Sequence, residues 1–285
     1  MTTPAVGRPG DIVLVISDVD GTLLTPDKIL TPSAAAAVRR LGVAGVGFTL
    51  ISSRPPRGMA GLVAELDVKL PFGGFNGGSL ATPDQTLIES HPLAADVARR
   101  MLALLTECGV QAWVFADGDW RLKDRDGPYV PLERLTVGFD STVVAGFEDV
   151  IDRIDKIVGV SANPRLLGRV EAAAMSLIGG AAAIVRSQPQ YLDVTSPSSN
   201  KGDGVTAICR RIGADLARTA VVGDMFNDVA MFARAGFSIA MGQAPEPVAA
   251  RASAVTLSNT EDGFAYAIDH LILPGAAAPS SAPAG

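Results

Sequence analysis

Apolar residues along this chain recur with two different periods, and the places where the period changes divide it. Ile12 to Ser17 reads IVLVIS, a continuous and largely β-branched run. Such a run suits a parallel strand buried on both faces. Gly47 to Ser52, GFTLIS, is a second one. Between them, Thr31-Pro32 predicts an N-cap followed by proline in the first turn of a helix that runs to Leu41. Met59, Leu62, Val63 and Leu66 then fall at i, i+3, i+4 and i+7, one face of another helix. Strand, helix, strand, helix argues for a parallel α/β sheet.

After Ala81 the pattern changes. Val97, Met101, Leu104, Leu105 and Cys108 form a helical stripe closed by Gly109. QAWVFA, Asp117-Gly118 and DWRLKD then predict a β-hairpin with a tight turn. Asn163-Pro164 opens a further helix, followed by strands near AAIVRS and YLDVTS. The βα alternation returns with the helical face Val205, Ile208, Cys209 and Ile212, the buried run TAVVGD from Thr219 to Asp224, and the short runs FSIAMG and AVTLS.

The expected fold is therefore α/β. A Rossmann-like parallel-sheet core, residues 1–82 and 190–285, is interrupted by an α+β domain at residues 83–189. Ligands of such sheets bind beyond the C-terminal strand ends, so an insertion leaving from that edge is expected to act as a cap. Its joints are expected near Thr82-Pro83 and Ser196-Pro197. Residues 1–10 and 274–285, rich in Pro, Gly, Ala and Ser, are expected to be disordered.

Composition narrows the partners. The 285 residues carry 24 Lys+Arg against 30 Asp+Glu, a net charge of -6, with no basic run, which argues against nucleic acid. The longest uncharged apolar stretch, Ala172 to Val185, is broken by Gly179-Gly180. It falls short of the ~20 residues a membrane helix needs. No apolar signal-peptide core stands in MTTPAVGRPG. Cys108 and Cys209 lie far apart and read as small buried hydrophobes, in keeping with a reducing cytoplasm. A soluble monomer or homodimer is expected.

Four polar clusters follow strands or open a helix: Asp18-Val19-Asp20-Gly21-Thr22, Ser52-Ser53-Arg54, Asn200-Lys201-Gly202, and Gly223-Asp224-Met225-Phe226-Asn227-Asp228. Taken singly, each is compatible with a turn or a helix cap. If the strands are neighbours, they converge on one sheet edge. Asp18, Asp20, Asp224 and Asp228 would then repel one another unless a hard divalent cation offsets their charge. There is no His/Cys cluster for zinc. Carboxylates, Mg²⁺, a lysine and a hydroxyl together make an inventory for phosphoryl transfer.

The same clusters, DVDGTLLT, ISSRP, NKG and GDMFND, resemble in order the four motifs of the haloacid dehalogenase superfamily, in its Cof-type phosphatase branch with a large inserted cap. FNGG at Phe75 to Gly78, IAMGQA and NTEDGFAYAI are also similar to that branch. The resemblance implies a Mg²⁺-dependent phosphatase acting on a small phosphorylated metabolite such as a sugar phosphate. Asp18 would be the nucleophile, and Asp20 the general acid and then base. Asp18 and Asp224 would hold Mg²⁺ through their side chains and Asp20 through its carbonyl, with Asp228 completing this acidic set as support. Ser52, Ser53, Arg54, Lys201 and Asn227 would face the substrate, with Ser52 and Lys201 on the phosphoryl oxygens. Ser53 stands where the branch usually has Gly, and Gln243 where Asn is common. A phosphomutase using the same phospho-aspartate, or a non-catalytic phosphometabolite-binding protein, stays open as an alternative. Trp113, Phe115, Trp120, Arg121 and Tyr129 are candidates for the inner face of the cap, although the aromatics suit a small hydrophobic core under the cap better.

Overall fold

The computed structural model describes residues 11–273, so the expectation of disorder for residues 1–10 and 274–285 lies outside the described residues. In chain order the strands are β1 (Leu14–Ser17), β2 (Gly47–Leu50), β3 (Phe72–Gly74), β4 (Ser79–Ala81), β5 (Leu87–Ser90), β6 (Gln111–Ala116), β7 (Asp119–Leu122), β8 (Thr142–Val143), β9 (Ile154–Val160), β10 (Ala183–Gln188), β11 (Tyr191–Thr195), β12 (Thr219–Gly223), β13 (Phe237–Ala240) and β14 (Ala254–Val255). The longer helices are α1 (Pro32–Val43), α2 (Ala60–Glu65), α3 (Ala95–Glu107), α4 (Val130–Val137), α5 (Pro164–Ile178) and α6 (Lys201–Ile212). They divide into two compact units. One holds the described residues up to Ile51, Leu66–Leu70 and the described residues from Val205; the other holds Ser52–Glu65 and Pro71–Gly204.

The first unit is built on a five-stranded sheet of order β14-β13-β12-β1-β2, every pair parallel. All four residues of β1 and all five of β12 are buried, as continuous apolar runs require of a sheet covered on both faces. Thr31 caps α1, its hydroxyl accepting the Ala34 amide at 3.1 Å, with Pro32 in the first turn. The expected parallel α/β core is therefore present. No described helix is long and apolar enough to cross a membrane.

The second unit carries a three-stranded antiparallel sheet, β3-β4-β5, and a six-stranded sheet of order β10-β11-β9-β6-β7-β8. The larger sheet sorts its side chains by alternation. Val114, Ala116, Ile157, Leu192 and Val194 face α3 and α5, meeting Val97, Met101 and Leu105 of α3 and Leu167, Val170 and Ala174 of α5. Trp113, Phe115, Trp120, Leu122, Val158, Val160 and Tyr191 form the other face, with Phe75 and with Val130 and Val137 of α4. The cap aromatics thus make a core. Trp113 and Trp120 meet edge-on at 5.2 Å, and Phe115 stacks on Trp120 at 6.3 Å. The turn at Asp117-Gly118 has φ values of 54° and 73°, the left-handed pair that a two-residue hairpin demands.

The expected boundary at residue 189 falls inside a hairpin. Ala183–Gln188 pairs antiparallel with Tyr191–Thr195, which in turn pairs with β9. The insertion's own sheet therefore continues to Thr195. Cys108 is half-buried against the α3 core and Cys209 is buried, its sulfur 3.5 Å from the Thr219 hydroxyl.

One buried charge has a measurable consequence. The Asp155 carboxylate on β9 accepts hydrogen bonds from Ser79 at 3.0 Å and Ser90 at 2.6 Å, and burial pushes its pKa above the ordinary carboxylate value. A folded pKa above the unfolded one means that the native state binds this proton more tightly. Stability from this group is greatest below the unfolded value and falls as pH rises through the folded one. Asp155→Asn keeps an oxygen acceptor for both hydroxyls and removes the charge. Its Tm is expected to exceed that of the parent at pH 8, with the gap closing at pH 4. A Tm lower than the parent's by the same amount at both pH values would contradict this account.

Candidate active site

Parallel pairing places the first and fourth motifs side by side. Ser17 is in register with Val222, and the Asp18 amide continues the ladder to the Val222 carbonyl at 2.9 Å. Both chains then leave the C-terminal edge of the sheet, where a crossover α/β sheet offers its ligand site. One carboxylate oxygen from each of Asp18, Asp224 and Asp228 lies within 4.8 Å of the other two, and all three residues are buried.

The backbone around this group is built to bring the carboxylates close. Gly21 has φ +86°, and a Cβ there would run into the Asp224 carboxylate. A Cβ on Gly223 would likewise strike the Asp228 carboxylate. These are positions where only glycine allows the approach. The Thr22 hydroxyl donates to Asp224 Oδ1 at 3.0 Å. Asp228 Oδ2 accepts the amides of Asp224 at 2.7 Å and Met225 at 2.8 Å, so it fixes the loop that carries Asp224. The supporting part expected of Asp228 thus has a physical form.

Two residues downstream hold the Asp18 loop from outside. Gln243 Nε2 donates to the Gly21 carbonyl at 2.5 Å, and its Oε1 accepts the Asn259 amide at 3.0 Å. Asn259 Nδ2 donates to the Leu24 carbonyl at 2.8 Å. Gln243 therefore supplies a loop contact of its own in place of the commoner Asn. The Asp20 side chain stands apart from the three-carboxylate group, half-buried and paired with Lys28 Nζ at 2.7 Å. Lys28 has φ +62° and lies in a turn with no motif character, so pattern reading alone did not select it.

Electrostatics decide what this group can hold. At an effective dielectric near 20, two unit charges ~5 Å apart repel by about 3 kcal/mol, and three carboxylates make three such pairs. Their donors are all oxygen, with no imidazole or thiolate among them. The residues present fit a hard divalent cation, which oxygen ligands select and whose charge removes the repulsion.

The remaining expected residues, Asn227 apart, belong to the second unit. Ser52 is buried, its Oγ accepting the Arg54 amide at 3.2 Å, with Ser53 and Arg54 half-buried beside it. Lys201 is buried in the first turn of α6. Asn200 caps that helix, its Oδ1 accepting the Asp203 amide at 2.9 Å. Asn227, in the first unit, is exposed on the short turn Phe226–Asp228. Arg121 does not suit a place among the aromatics. It pairs with Val114 on the helix-covered face of the large sheet, and its guanidinium binds Asp149 at 2.7 Å.

This chain matches the model of the haloacid dehalogenase-like hydrolases over residues 15–268. It belongs to that family. The resemblance read from the four motifs is borne out, and the chain is an enzyme of this class. It is 26% identical over 264 residues to the 5-amino-6-(5-phospho-D-ribitylamino)uracil phosphatase of Bacillus subtilis (strain 168), covering 92% of this chain and 97% of that one. It is 25% identical over 272 residues to the pyridoxal phosphate phosphatase of Escherichia coli (strain K12), covering 91% and 98%. Among solved structures, a haloacid dehalogenase-like hydrolase from Bacteroides thetaiotaomicron superposes with a TM-score of 0.84 at 25% identity, covering 90% of this chain and 98% of that one.

Proposed function

We propose that this hydrolase is a Mg²⁺-dependent phosphatase that removes phosphate from a small phosphorylated metabolite through a phospho-aspartate on Asp18. The observation that carries the reading is the buried group Asp18, Asp224 and Asp228 at the C-terminal sheet edge of a member of this family. By their names, the two relatives are phosphatases of 5-amino-6-(5-phospho-D-ribitylamino)uracil and of pyridoxal phosphate, which supports a small phosphorylated substrate.

In this reading Asp18 and Asp224 would hold the cation through their carboxylates and Asp20 would add its carbonyl, with Asp228 bracing the Asp224 loop. Bound there, Mg²⁺ offsets the negative charge of carboxylates and phosphate alike. One Asp18 oxygen attacks phosphorus, and the bond from phosphorus to the ester oxygen breaks. Asp20, protonated, gives its proton to the departing oxygen. Asp20 then takes a proton from water as the water oxygen attacks phosphorus. The Asp18–phosphorus bond breaks, inorganic phosphate leaves, and Asp18 is restored. Ser52 and Lys201 hold the phosphoryl oxygens, Lys201 supplying a fixed positive charge. The acid role requires the Lys28–Asp20 ion pair to open, because Lys28 occupies the carboxylate that must reach the departing oxygen.

Substrate choice falls in this proposal to the insertion, residues 83–195, since all four motifs lie outside it. The test is release of inorganic phosphate across a panel of phosphorylated sugars, cofactors and nucleotide precursors with Mg²⁺ present. Turnover of several small monoesters is the expected result. Transfer of phosphate within a sugar, dependent on a bisphosphate activator and with no net release, would replace hydrolysis by mutase chemistry.

A further inference from the structure

The turn Phe75–Gly78 sits among the phosphate-side residues of the second unit in a conformation that needs support. Phe75 (φ 50°), Asn76 (φ 58°) and Gly77 (φ +85°) are three successive left-handed residues, two of them with side chains. L-residues adopt this region reluctantly, and it persists only where surrounding contacts determine it. The contacts are present on three sides. The Asn76 amide donates to the Ser52 carbonyl at 2.7 Å and the Phe75 amide to the Arg54 carbonyl at 2.9 Å, while the Ser52 amide donates to the Gly73 carbonyl at 2.9 Å. The Phe75 ring lies edge-on to Phe115 at 5.8 Å, within the aromatic core of the large sheet.

The third side is close packing against the start of α6, backbone on backbone at Gly77 and against the Ser199 side chain at Gly78. A Cβ on Gly77 would lie 2.6 Å from the Gly204 Cα and 3.2 Å from the Asn200 carbonyl oxygen. A Cβ on Gly78 would lie 2.9 Å from the Ser199 Cβ. Asn200 and Gly204 bracket Lys201 in the first turn of α6, joined by the bond from the Gly204 amide to the Asn200 carbonyl at 3.0 Å. One turn therefore holds the Ser52 loop by hydrogen bonds and seats the Lys201 helix start by close contact.

We infer that Gly77 and Gly78 are positioning residues that set the first turn of the Lys201 helix relative to the Ser52 loop, and so fix the grip on the phosphoryl group. The inference rests on the reading above that Ser52 and Lys201 hold that group. Its consequence is specific: a Cβ at Gly77 displaces the Lys201 turn itself, one at Gly78 presses on the Ser199 side chain just before that turn, and neither touches the carboxylate set of the first unit. Because the phosphoryl group is common to every substrate, the loss does not depend on the leaving group.

The experiment compares Gly77→Ala, Gly78→Ala, Gly109→Ala and Lys201→Ala, recording Tm, kcat with p-nitrophenyl phosphate and Ki for inorganic phosphate. Gly78 has φ -66°, so its variant carries no left-handed strain and keeps the test open should Gly77→Ala fail to fold. Gly109 has φ +65° with nothing within 4 Å, so its variant carries the strain without the contact. Gly77→Ala is expected to raise Ki for phosphate and lower kcat by about 10-fold or more each, as displacement by ~1 Å commonly does. Gly78→Ala should move both in the same direction by a smaller factor. Gly109→Ala should lower Tm with Ki unchanged. Should Lys201→Ala weaken phosphate while the folded glycine variants keep the parent Ki and kcat, the positioning role is overturned and the site reading survives. Should Lys201→Ala keep the parent Ki and kcat, the reading itself fails, and the inference with it.

Discussion

Asp18→Asn is expected to lower kcat by about 10³-fold or more on every substrate, because a lost nucleophile disables groups that act as a unit. The amide has neither the charge nor the basicity to attack phosphorus, so the acyl-phosphate route closes. Its effect on stability should run the other way. Asp18 is one of three buried carboxylates within 4.8 Å of each other, and neutralising it removes two of the three repulsive pairs. In metal-free buffer the variant should therefore melt no lower than the parent, and a loss of fold cannot then account for the loss of rate. The measurement is saturating turnover of p-nitrophenyl phosphate beside a thermal melt, on protein checked by mass spectrometry for deamidation back to Asp. Turnover near that of the parent would remove Asp18 from the role of nucleophile.

The parallel core was legible because its signals are local. IVLVIS, GFTLIS and TAVVGD are continuous apolar runs, and each forms a strand buried along almost its whole length. Thr31-Pro32 and Asn163-Pro164 announce helix starts by chemistry that acts within three residues, and both side chains accept first-turn amides. The gathering of Asp18, Asp224 and Asp228 was legible for a related reason. Carboxylates are costly beside one another, so several of them at neighbouring strand ends call for a compensating charge.

What the pattern hid depends on partners distant in sequence. Strand β9, at the centre of the large sheet, carries Asp155 and Lys156, which interrupt the apolar run expected of a central strand. Asp155 is satisfied by Ser79 and Ser90, and Lys156 by Asp193 on the neighbouring strand at 2.7 Å. Neither pairing can be read before the register is known. The boundary at residue 189 had the same origin. Gln188 to Tyr191 has the composition of a linker, and only the ladder from Tyr191–Thr195 to β9 shows that it turns a hairpin. Asp228 was recognisable as an acid of the fourth motif, but its bonds to the Asp224 and Met225 amides belong to the folded loop. At Arg121 alternation decides the outcome: it directly adjoins Trp120 and Leu122 in sequence, and that places it on the opposite face of the sheet.

Removing the divalent cation should abolish activity and lower stability together, and the pairing of the two effects is what identifies the site. A chelator leaves Asp18, Asp224 and Asp228 to repel one another in a buried setting, so the metal-free protein should melt below the Mg²⁺-loaded one. A ligand present at about 100 times its Kd contributes roughly 2.7 kcal/mol to the folded state. In a chain of this size each kcal/mol moves Tm by about 2–4 °C, so the shift should reach several degrees. Mg²⁺ should restore both readouts. Ca²⁺ should restore Tm in large part and activity poorly, since it takes more ligands at longer distances and sets the carboxylates too far from phosphorus. Asp224→Asn should abolish the Mg²⁺-dependent rise in Tm along with turnover. Two results would count against this site: full activity in chelator-treated, metal-free buffer, or a Mg²⁺-dependent Tm shift that survives intact in Asp224→Asn.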